Sequence, residues 1–357
     1  MTGIDVNTLV VGSGPAGFAA AYHAASAGSV LIVDASQLPR NKSCGGMIHP
    51  LSIKILSEIA TIPDWMLLTP ASVTFRYHDW DKDLTGLTDL SFLNVDRAVF
   101  DKWLLEQLPD HVQLKDNTRY RSHTVRPDGS IAVLLTNEVQ ELTVTCHFLV
   151  GADGARSAVR RQLGLPDLER YVTLQDYCLH QGDIEPVFDC FWLDGIPGFG
   201  IGYIVPKSDQ VLVGAVYYPG TKQAGSLQDM ILNRLRQRLP IGESVRREAW
   251  VAPRHSSIHD VSAGSGNVLL AGEAGGFISP TSGEGISWAL ASGRIAGLAI
   301  AADHSTPAAQ SYSAGVRQLR RSIAWRLRVY PIINSRWGKT LMGLSPRSLV
   351  SWATHHL

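Results

Sequence analysis

Residues 6–11 form a short β-branched run that stops at Gly12, residues 15–27 are alanine-rich and helical in pattern, and residues 30–33 form a second apolar run closed by Asp34. Apolar run, helix, apolar run is the pattern of a βαβ unit, so two parallel strands joined by a crossover helix are expected. Residues 52–59 read as a helix and residues 73–77 as a strand leaving this unit. A further helix is predicted to start at Asp96, with that aspartate as N-cap and Phe100, Trp103 and Leu104 on its apolar side. Residues 143–150 return as a strand that runs into Gly151-Ala152-Asp153-Gly154. From about residue 171 to residue 250 the texture changes to alternating, aromatic-rich runs with Gly and Pro turns, among them 188–193, 200–205 and 211–217. That alternation predicts a mainly antiparallel sheet. Residues 267–271 form one more buried strand, Gly272-Glu273 follow, and residues 285–302 read as a helix. Residues 312–357 read as a helical, basic tail.

Composition narrows the class. Hydrophobic residues make up 45% of the 357, enough for a large core and for two closely packed domains at about 100–200 residues each. Lys plus Arg and Asp plus Glu balance at 32 each, so there is no overall field to hold nucleic acid or an anionic membrane, which leaves only local patches. The apolar stretch 286–302 is interrupted by Arg294 and rich in Gly and Ala; a membrane span wants about 20 predominantly apolar residues, so this one reads as a buried helix. Cys44, Cys146, Cys178 and Cys190 are scattered without a CxxC pair, which argues against a disulfide framework or a structural metal and favours a reducing compartment. With no signal-peptide pattern at the start, a cytoplasmic location is expected. The histidines form no HExxH spacing and there is no GxSxG elbow, so His49, His255 and His259 are read as core or surface residues and no metal site is expected.

The first chemistry-bearing motif is Gly12-Ser13-Gly14-Pro15-Ala16-Gly17, set between the first strand and the first helix, with Asp34-Ala35 closing the second strand. Gly12 permits the tight turn, Gly14 lets a pyrophosphate approach the backbone, and Gly17 allows close helix-to-strand packing. Pro15 and Ala16 open a helix whose unpaired N–H groups and positive dipole end attract an anion, and Asp34 would accept from an adenosine ribose. This is a dinucleotide-binding fingerprint. The expected architecture is an α/β chain with a discontinuous Rossmann-type domain over 1–75, 94–168 and 251–305. A mainly antiparallel β-sheet substrate domain takes 76–93 and 169–250, and a C-terminal helical segment takes 306–357.

Three further segments occur in order: Asn94-Val95-Asp96-Arg97 with Phe100-Asp101 and Leu104, Gly151 through Ser157, and Gly272-Glu273-Ala274-Gly275-Gly276 followed by Pro280-Thr281-Ser282-Gly283-Glu284-Gly285-Ile286. In these the chain resembles the flavoprotein superfamily of p-hydroxybenzoate hydroxylase-type aromatic hydroxylases and geranylgeranyl reductases. The resemblance implies FAD as cofactor, Arg97 in contact with it, Asp153-Gly154 near flavin and nicotinamide, and Gly272-Glu273 on the ribityl chain, where the family usually carries Asp. Independently, the small-residue loop Pro280 to Gly285 opens a helix, so its free amides and dipole end suit the pyrimidine side of a reduced flavin. There is no second GxGxxG, so NADPH or NADH as electron donor would dock at the flavin without a domain of its own.

Lys42-Ser43-Cys44-Gly45-Gly46-Met47 resembles the CGG motif of the geranylgeranyl reductase branch, which implies a cysteine near the flavin ring, able to deliver a proton or tune the flavin. Residues 200–207 match the place where that branch carries YxWxFP. Here Ile201, Tyr203 and Val205 replace the aromatics and Pro206 is retained, while the WxWxIP of flavin halogenases is absent. Tyr203 is a candidate donor to a substrate oxygen. The expected activity is that of an FAD-dependent oxidoreductase passing a hydride to a double bond in a small apolar, isoprenoid-like substrate, with Cys44 or a water as proton donor. The alternatives are an FAD-dependent monooxygenase (hydroxylase or epoxidase) using NAD(P)H and oxygen, and an accessory flavoprotein acting on a protein partner. In the tail, Arg317, Arg320, Arg321, Arg326 and Arg328 interleave with Ile323, Trp325, Leu327 and Val329. That pattern reads as a solvated helix on the flavin domain, a cover for the substrate pocket, or a peripheral membrane contact. The pattern carries no signal of oligomeric state.

Overall fold

In the computed structural model, which describes residues 4–180, 182–302, 307–335 and 337–340, the expected βαβ unit is present: β1 (Ile4–Val11), α1 (Pro15–Ala24) and β2 (Val30–Val33). All four residues of β2 are buried, as in a parallel strand covered on both faces. The first sheet runs β15 (Gly264–Ser265), β16 (Val268–Leu270), β9 (Glu141–Gly151), β1, β2, β6 (Val112–Lys115), with the hairpin β7 (Arg119–Val125) and β8 (Ile131–Thr136) joined through β9. The strands β16, β9, β1, β2 and β6 pair in parallel, with Val10 opposite both Ile32 and Val150. Sequence-distant segments thus build one sheet.

The second sheet runs β14 (Ile241–Arg254), β10 (Glu169–His180), β13 (Gln210–Tyr217), β12 (Phe199–Lys207), β11 (Val187–Trp192), β4 (Leu67–Asp79), β5 (Leu84–Val95), β3 (Met47–Ile48). Every neighbour pair is antiparallel except β11 with β4. The strand expected at 73–77 is longer at both ends, and with β5 it belongs to this sheet. A helix, α5 (Ala224–Arg236), interrupts the stretch read as continuous strands. Its Ile231, Leu232 and Leu235 lie on one side and pack with Val213 and Tyr217, and its buried Gln228 takes the Tyr217 hydroxyl at 3.0 Å and donates to Asp176 at 2.9 Å.

Of the remaining helices, α2 (Pro50–Leu56) begins where His49 Nδ1 accepts from the Leu51 N–H at 3.0 Å. Asp96 caps α3 (Arg97–Glu106) as expected, accepting from Ala98 N and Val99 N; α4 is Ala158–Gln162. The Gly- and Ala-rich stretch forms α6 (Ile286–Ala301), which lies directly on α1. A methyl group at Gly293 would run into the Ala16 carbonyl and one at Gly297 into the Ala20 carbonyl, so its glycines serve backbone-to-backbone packing. Arg294 points outward to Glu58 at 2.7 Å. No helix among the described residues is long and apolar enough to cross a membrane. The tail supplies α7 (Ala308–Gly315) and α8 (Arg317–Ile333), with Tyr312, Val316 and Ile323 fully buried against the core of the first sheet. The part of the tail reading that falls on 341–357 lies outside the described residues.

Candidate active site

Between the two sheets lies a cavity of about 1120 Å³, walled by β1, the loop after β2, the second sheet, the loop before α6, and α8. Its nucleotide end is built by the first motif. Gly12 has φ +102°, a left-handed value that favours glycine, and a Cβ there would collide with the Ala152 carbonyl. Gly17 does not line the cavity; it sits against the Gly12 carbonyl and lets α1 close on β1. At Gly14 a Cβ would meet nothing nearer than the Arg40 guanidinium, at 3.3 Å, so this glycine is not needed for packing. Gly14, Pro15 and Ala16 all line the cavity, and no side chain caps the first turn of α1.

Asp34 and Ala35 line the same end. Asp34 accepts from the Ser13 N–H and hydroxyl at 2.9 and 2.7 Å and from Ser36 N at 2.9 Å. Burial opposes its charge, but Arg40, 3.4 Å away, and these donors outweigh burial and hold the carboxyl below the usual range. Arg40 went unread in the sequence. It places a cation beside the N-terminus of α1, where a pyrophosphate would need one.

The flavin end meets Gly272, Glu273 and the loop Pro280 to Ile286, every one of which lines the cavity. Glu273 lies between Gly154 and Gly285, its Oε1 is 3.6 Å from Lys42 Nζ, and its Oε2 is buried without a hydrogen-bond partner. A buried carboxylate oxygen left without a donor is costly; a ribityl hydroxyl would satisfy it. The open glycine cradle at Gly14, the uncapped helix and this orphaned oxygen together fit FAD. Gly283 has φ +67° and open space where a Cβ would stand, but the loop amides are not free as expected: Gly283 N–H donates to the Ser279 carbonyl at 3.0 Å and Glu284 N–H to Ser282 Oγ at 3.3 Å. Two residues of the motifs turn elsewhere. The Asp153 carboxylate accepts from Ser157 Oγ and the Ala158 and Val159 amides at the start of α4, where burial raises its pKa against those donors. Glu284 accepts from Ser287 N and Oγ, and burial likewise raises it.

Cys44 and Gly45 line the cavity where the flavin end meets the second sheet. The Cys44 sulfur is half-buried, accepts the Gly46 N–H at 3.5 Å and lies in the field of the Arg97 guanidinium. Arg97 is buried in a bidentate pair with Asp101 at 2.9–3.1 Å; burial opposes its charge, and Asp101 and Cys44 more than restore it. Behind Cys44 a second cavity of about 210 Å³ is lined by Cys44, Arg97, Tyr177, Lys207 and Arg246. Buried Lys207 donates to Asn94 Oδ1 at 2.7 Å and the Val95 carbonyl at 3.1 Å. Burial, with a contribution from Arg97, outweighs Cys44 and Asp96 and lowers its pKa from 10.5 to about 7.

Between about pH 7 and the ordinary lysine value the unfolded chain therefore holds a proton at Lys207 that the native state lacks, so stability rises with pH across this window. The urea midpoint should climb less steeply from pH 7 to pH 10 in Lys207→Met than in the wild type. Equal slopes would mean that the amine is hydrated.

The end of the cavity against the second sheet is an aromatic slot on one face of that sheet. Phe75, Phe92 and Phe188 meet at centroid distances of 5.2–6.1 Å, and Tyr77 stacks on Trp192 at 5.3 Å. Tyr203 lies across Gly214 of the next strand, in the space a side chain there would take. Its hydroxyl accepts from Gln175 Nε2 at 2.5 Å, and the Gln175 carbonyl accepts from Ser43 Oγ next to Cys44. Gln175 is buried, and this chain leaves the Tyr203 proton free to point into the slot. Ile201 joins Tyr203 in the wall, whereas Val205 is fully buried below it. Over the slot lies α8, contributing Arg326, Leu327 and Tyr330, with Asn334 just past its end. Arg326 donates to Thr281 Oγ1 at 3.0 Å, Arg320 to the Val261 carbonyl at 3.0 Å, and Tyr330 meets the Tyr218 hydroxyl at 3.1 Å. The tail helix thus covers the cavity and bridges both sheets.

The sequence pattern of the FAD binding domain family matches residues 5–328. Protein CbrA of Escherichia coli O1:K1 / APEC is 28% identical over 298 residues, covering 81% of this chain and 80% of that protein. Among solved structures, a geranylgeranyl bacteriochlorophyll reductase-like protein of Thermoplasma acidophilum superposes with a TM-score of 0.78 at 15% identity, over 98% of this chain and 91% of the other. A triple mutant of the flavin-dependent brominase Bmp2 gives 0.74 at 17% identity over 98% and 94%. The OxyS anhydrotetracycline hydroxylase of Streptomyces rimosus gives 0.69 at 15% over 99% and 73%. At such identities the structural likeness speaks to fold alone.

Proposed function

The chain belongs to the FAD binding domain family, and from that premise we propose that this FAD-dependent oxidoreductase reduces a carbon–carbon double bond in an apolar, isoprenoid-like substrate. The observation that carries the reading is the place of Cys44, a half-buried thiol at the junction of the flavin end and an aromatic slot. When bound and reduced, FAD supplies the hydride. The chain's own groups do the rest. Arg40 and the free amides of α1 would hold the pyrophosphate, Asp34 the ribose and Glu273 the ribityl hydroxyls. The N-terminus of α6 would turn the positive end of its dipole toward charge on the pyrimidine side.

In the slot, Phe75, Tyr77, Phe92, Phe188 and Trp192 exclude water and orient an apolar chain. Cys44 releases its proton to the carbon next to the one that receives hydride, and Arg97 and the Gly46 N–H steady the thiolate left behind. Tyr203, aligned by Gln175, donates to an oxygen of the substrate. NADPH or NADH is the proposed reductant, docking at the flavin.

The test is anaerobic reduction of the purified yellow protein with NADPH or NADH, followed by mixing with prenyl alkenes and, separately, with oxygen. Reoxidation of the flavin by an alkene, with one saturated bond formed per flavin, is the expected result. Substrate hydroxylated or epoxidised in step with oxygen uptake, with no reoxidation by alkene alone, would assign the protein to the monooxygenases instead.

A further inference from the structure

The helix that covers the cavity has an outer face that this reaction does not use. Along α8, Arg317, Arg321, Trp325, Arg328 and Ile332 recur at the three-to-four-residue spacing of one helical face, and all five are exposed. Trp325 is 56% exposed, Ile332 68%, and Trp337, just beyond the helix, 82%. Large apolar side chains gathered on one exposed face mark an interaction surface. Charge says what kind. From residue 304 to residue 357 the sequence holds eight basic residues and no acidic one, and because the whole chain balances at 32 and 32, the preceding residues carry an acidic excess of eight. Five of the eight lie on α8, and Arg317, Arg321 and Arg328 stand on its outer face beside Trp325.

We infer that the outer face of α8 docks on an anionic bilayer surface. Tryptophan rings settle at headgroup depth, arginine stems lie along apolar surface while their guanidinium groups stay among phosphates, and Ile332 adds apolar area next to them. The opposite face of the same helix, through Leu327 and Tyr330, lines the aromatic slot. Docking therefore sets one wall of the cavity against the phase in which an apolar substrate is dissolved. That delivery rests on the proposed reaction; the docking does not.

The experiment is co-sedimentation of the FAD-loaded full chain with phosphatidylcholine vesicles, with and without phosphatidylglycerol, at low and high salt. Binding is expected to require phosphatidylglycerol, to weaken with salt, and to shift tryptophan emission to the blue. With each basic residue near an anionic surface contributing about fivefold, Arg317→Glu, Arg321→Glu and Arg328→Glu combined should lower partitioning by more than roughly a hundredfold, with FAD content and melting temperature unchanged. Trp325→Ala should weaken binding to the same vesicles. Failure of the wild type to sediment at low salt, or equal sedimentation of the triple variant, overturns the inference, as does binding to duplex DNA that matches the vesicles and ignores Trp325→Ala. A protein that reduces no alkene yet partitions in the expected way leaves docking standing and counts against the reaction alone.

Discussion

Gly14→Val should fold normally and purify colourless, with FAD affinity reduced at least roughly a hundredfold, about 3 kcal/mol. The expectation follows from what surrounds this glycine. Its missing side chain faces the cavity and the end of the flexible Arg40, 3.3 Å away, so valine meets no backbone and fills instead the space a pyrophosphate would enter. Its two companions in the motif behave differently. Gly12 is left-handed and abuts the Ala152 carbonyl, and Gly17 abuts the Gly12 carbonyl, so alanine at either should lower the yield of folded protein before any question of cofactor arises. Far-UV circular dichroism with FAD titration on Gly14→Val and Gly12→Ala checks this. A yellow Gly14→Val that binds FAD like the wild type would remove the pyrophosphate from that position.

Cys44→Ser should keep FAD bound and reducible while single-turnover alkene reduction slows by about 10²- to 10⁴-fold, the range for loss of a general acid. A serine hydroxyl is a far weaker acid than a thiol, whose ordinary pKa is about 8.5. The half-buried sulfur makes a weak bond from the Gly46 N–H, which oxygen can also accept, so stability should change by about 0.5 kcal/mol or less. Rate and stability therefore separate the roles. A large fall in melting temperature with unchanged turnover per flavin would make Cys44 a packing residue. Full-speed single-turnover reduction would pass the proton donation to a water.

The nucleotide end was legible because strand, glycine turn, helix and acidic cap fall within one short window, Gly12 to Asp34, and each has its own local cause. The loop before α6 was legible as small residues opening a helix, but its amides are not free: the Gly283 and Glu284 N–H groups donate to the Ser279 carbonyl and Ser282 Oγ, and the Glu284 carboxylate takes Ser287 N, partners that no local pattern announces. The substrate slot was not. Phe75, Phe92, Phe188 and Tyr203 come from β4, β5, β11 and β12, and in each strand they are ordinary members of an alternating pattern. Register across the parallel β4–β11 pair, with Phe188 opposite Phe75 and Cys190 opposite Tyr77, puts them on one face, and register is a tertiary property. Arg40 and Lys207 were missed for a related reason. A single cation in a loop or after a proline has no periodicity; Arg40 acquires meaning from Asp34 and Gly14, and Lys207 from the cavity behind Cys44. Helix α5 was hidden because its buried Gln228 breaks the apolar stripe, and only the Tyr217 and Asp176 partners explain a glutamine there.

The interleaving of the first sheet has a consequence for biosynthesis. On one side β1 is paired with β9, whose other edge is completed by β16, and α1 is covered by α6. The fingerprint at Gly12 to Gly17 leaves the ribosome well before the parts that hold it rigid: β9 (Glu141–Gly151) follows, and β16 and α6 emerge later still. At about 5–20 residues per second the nascent chain carries that glycine turn for roughly 15–60 s before its scaffold is complete. FAD capture is therefore expected to wait for α6 and not to follow the emergence of the fingerprint itself.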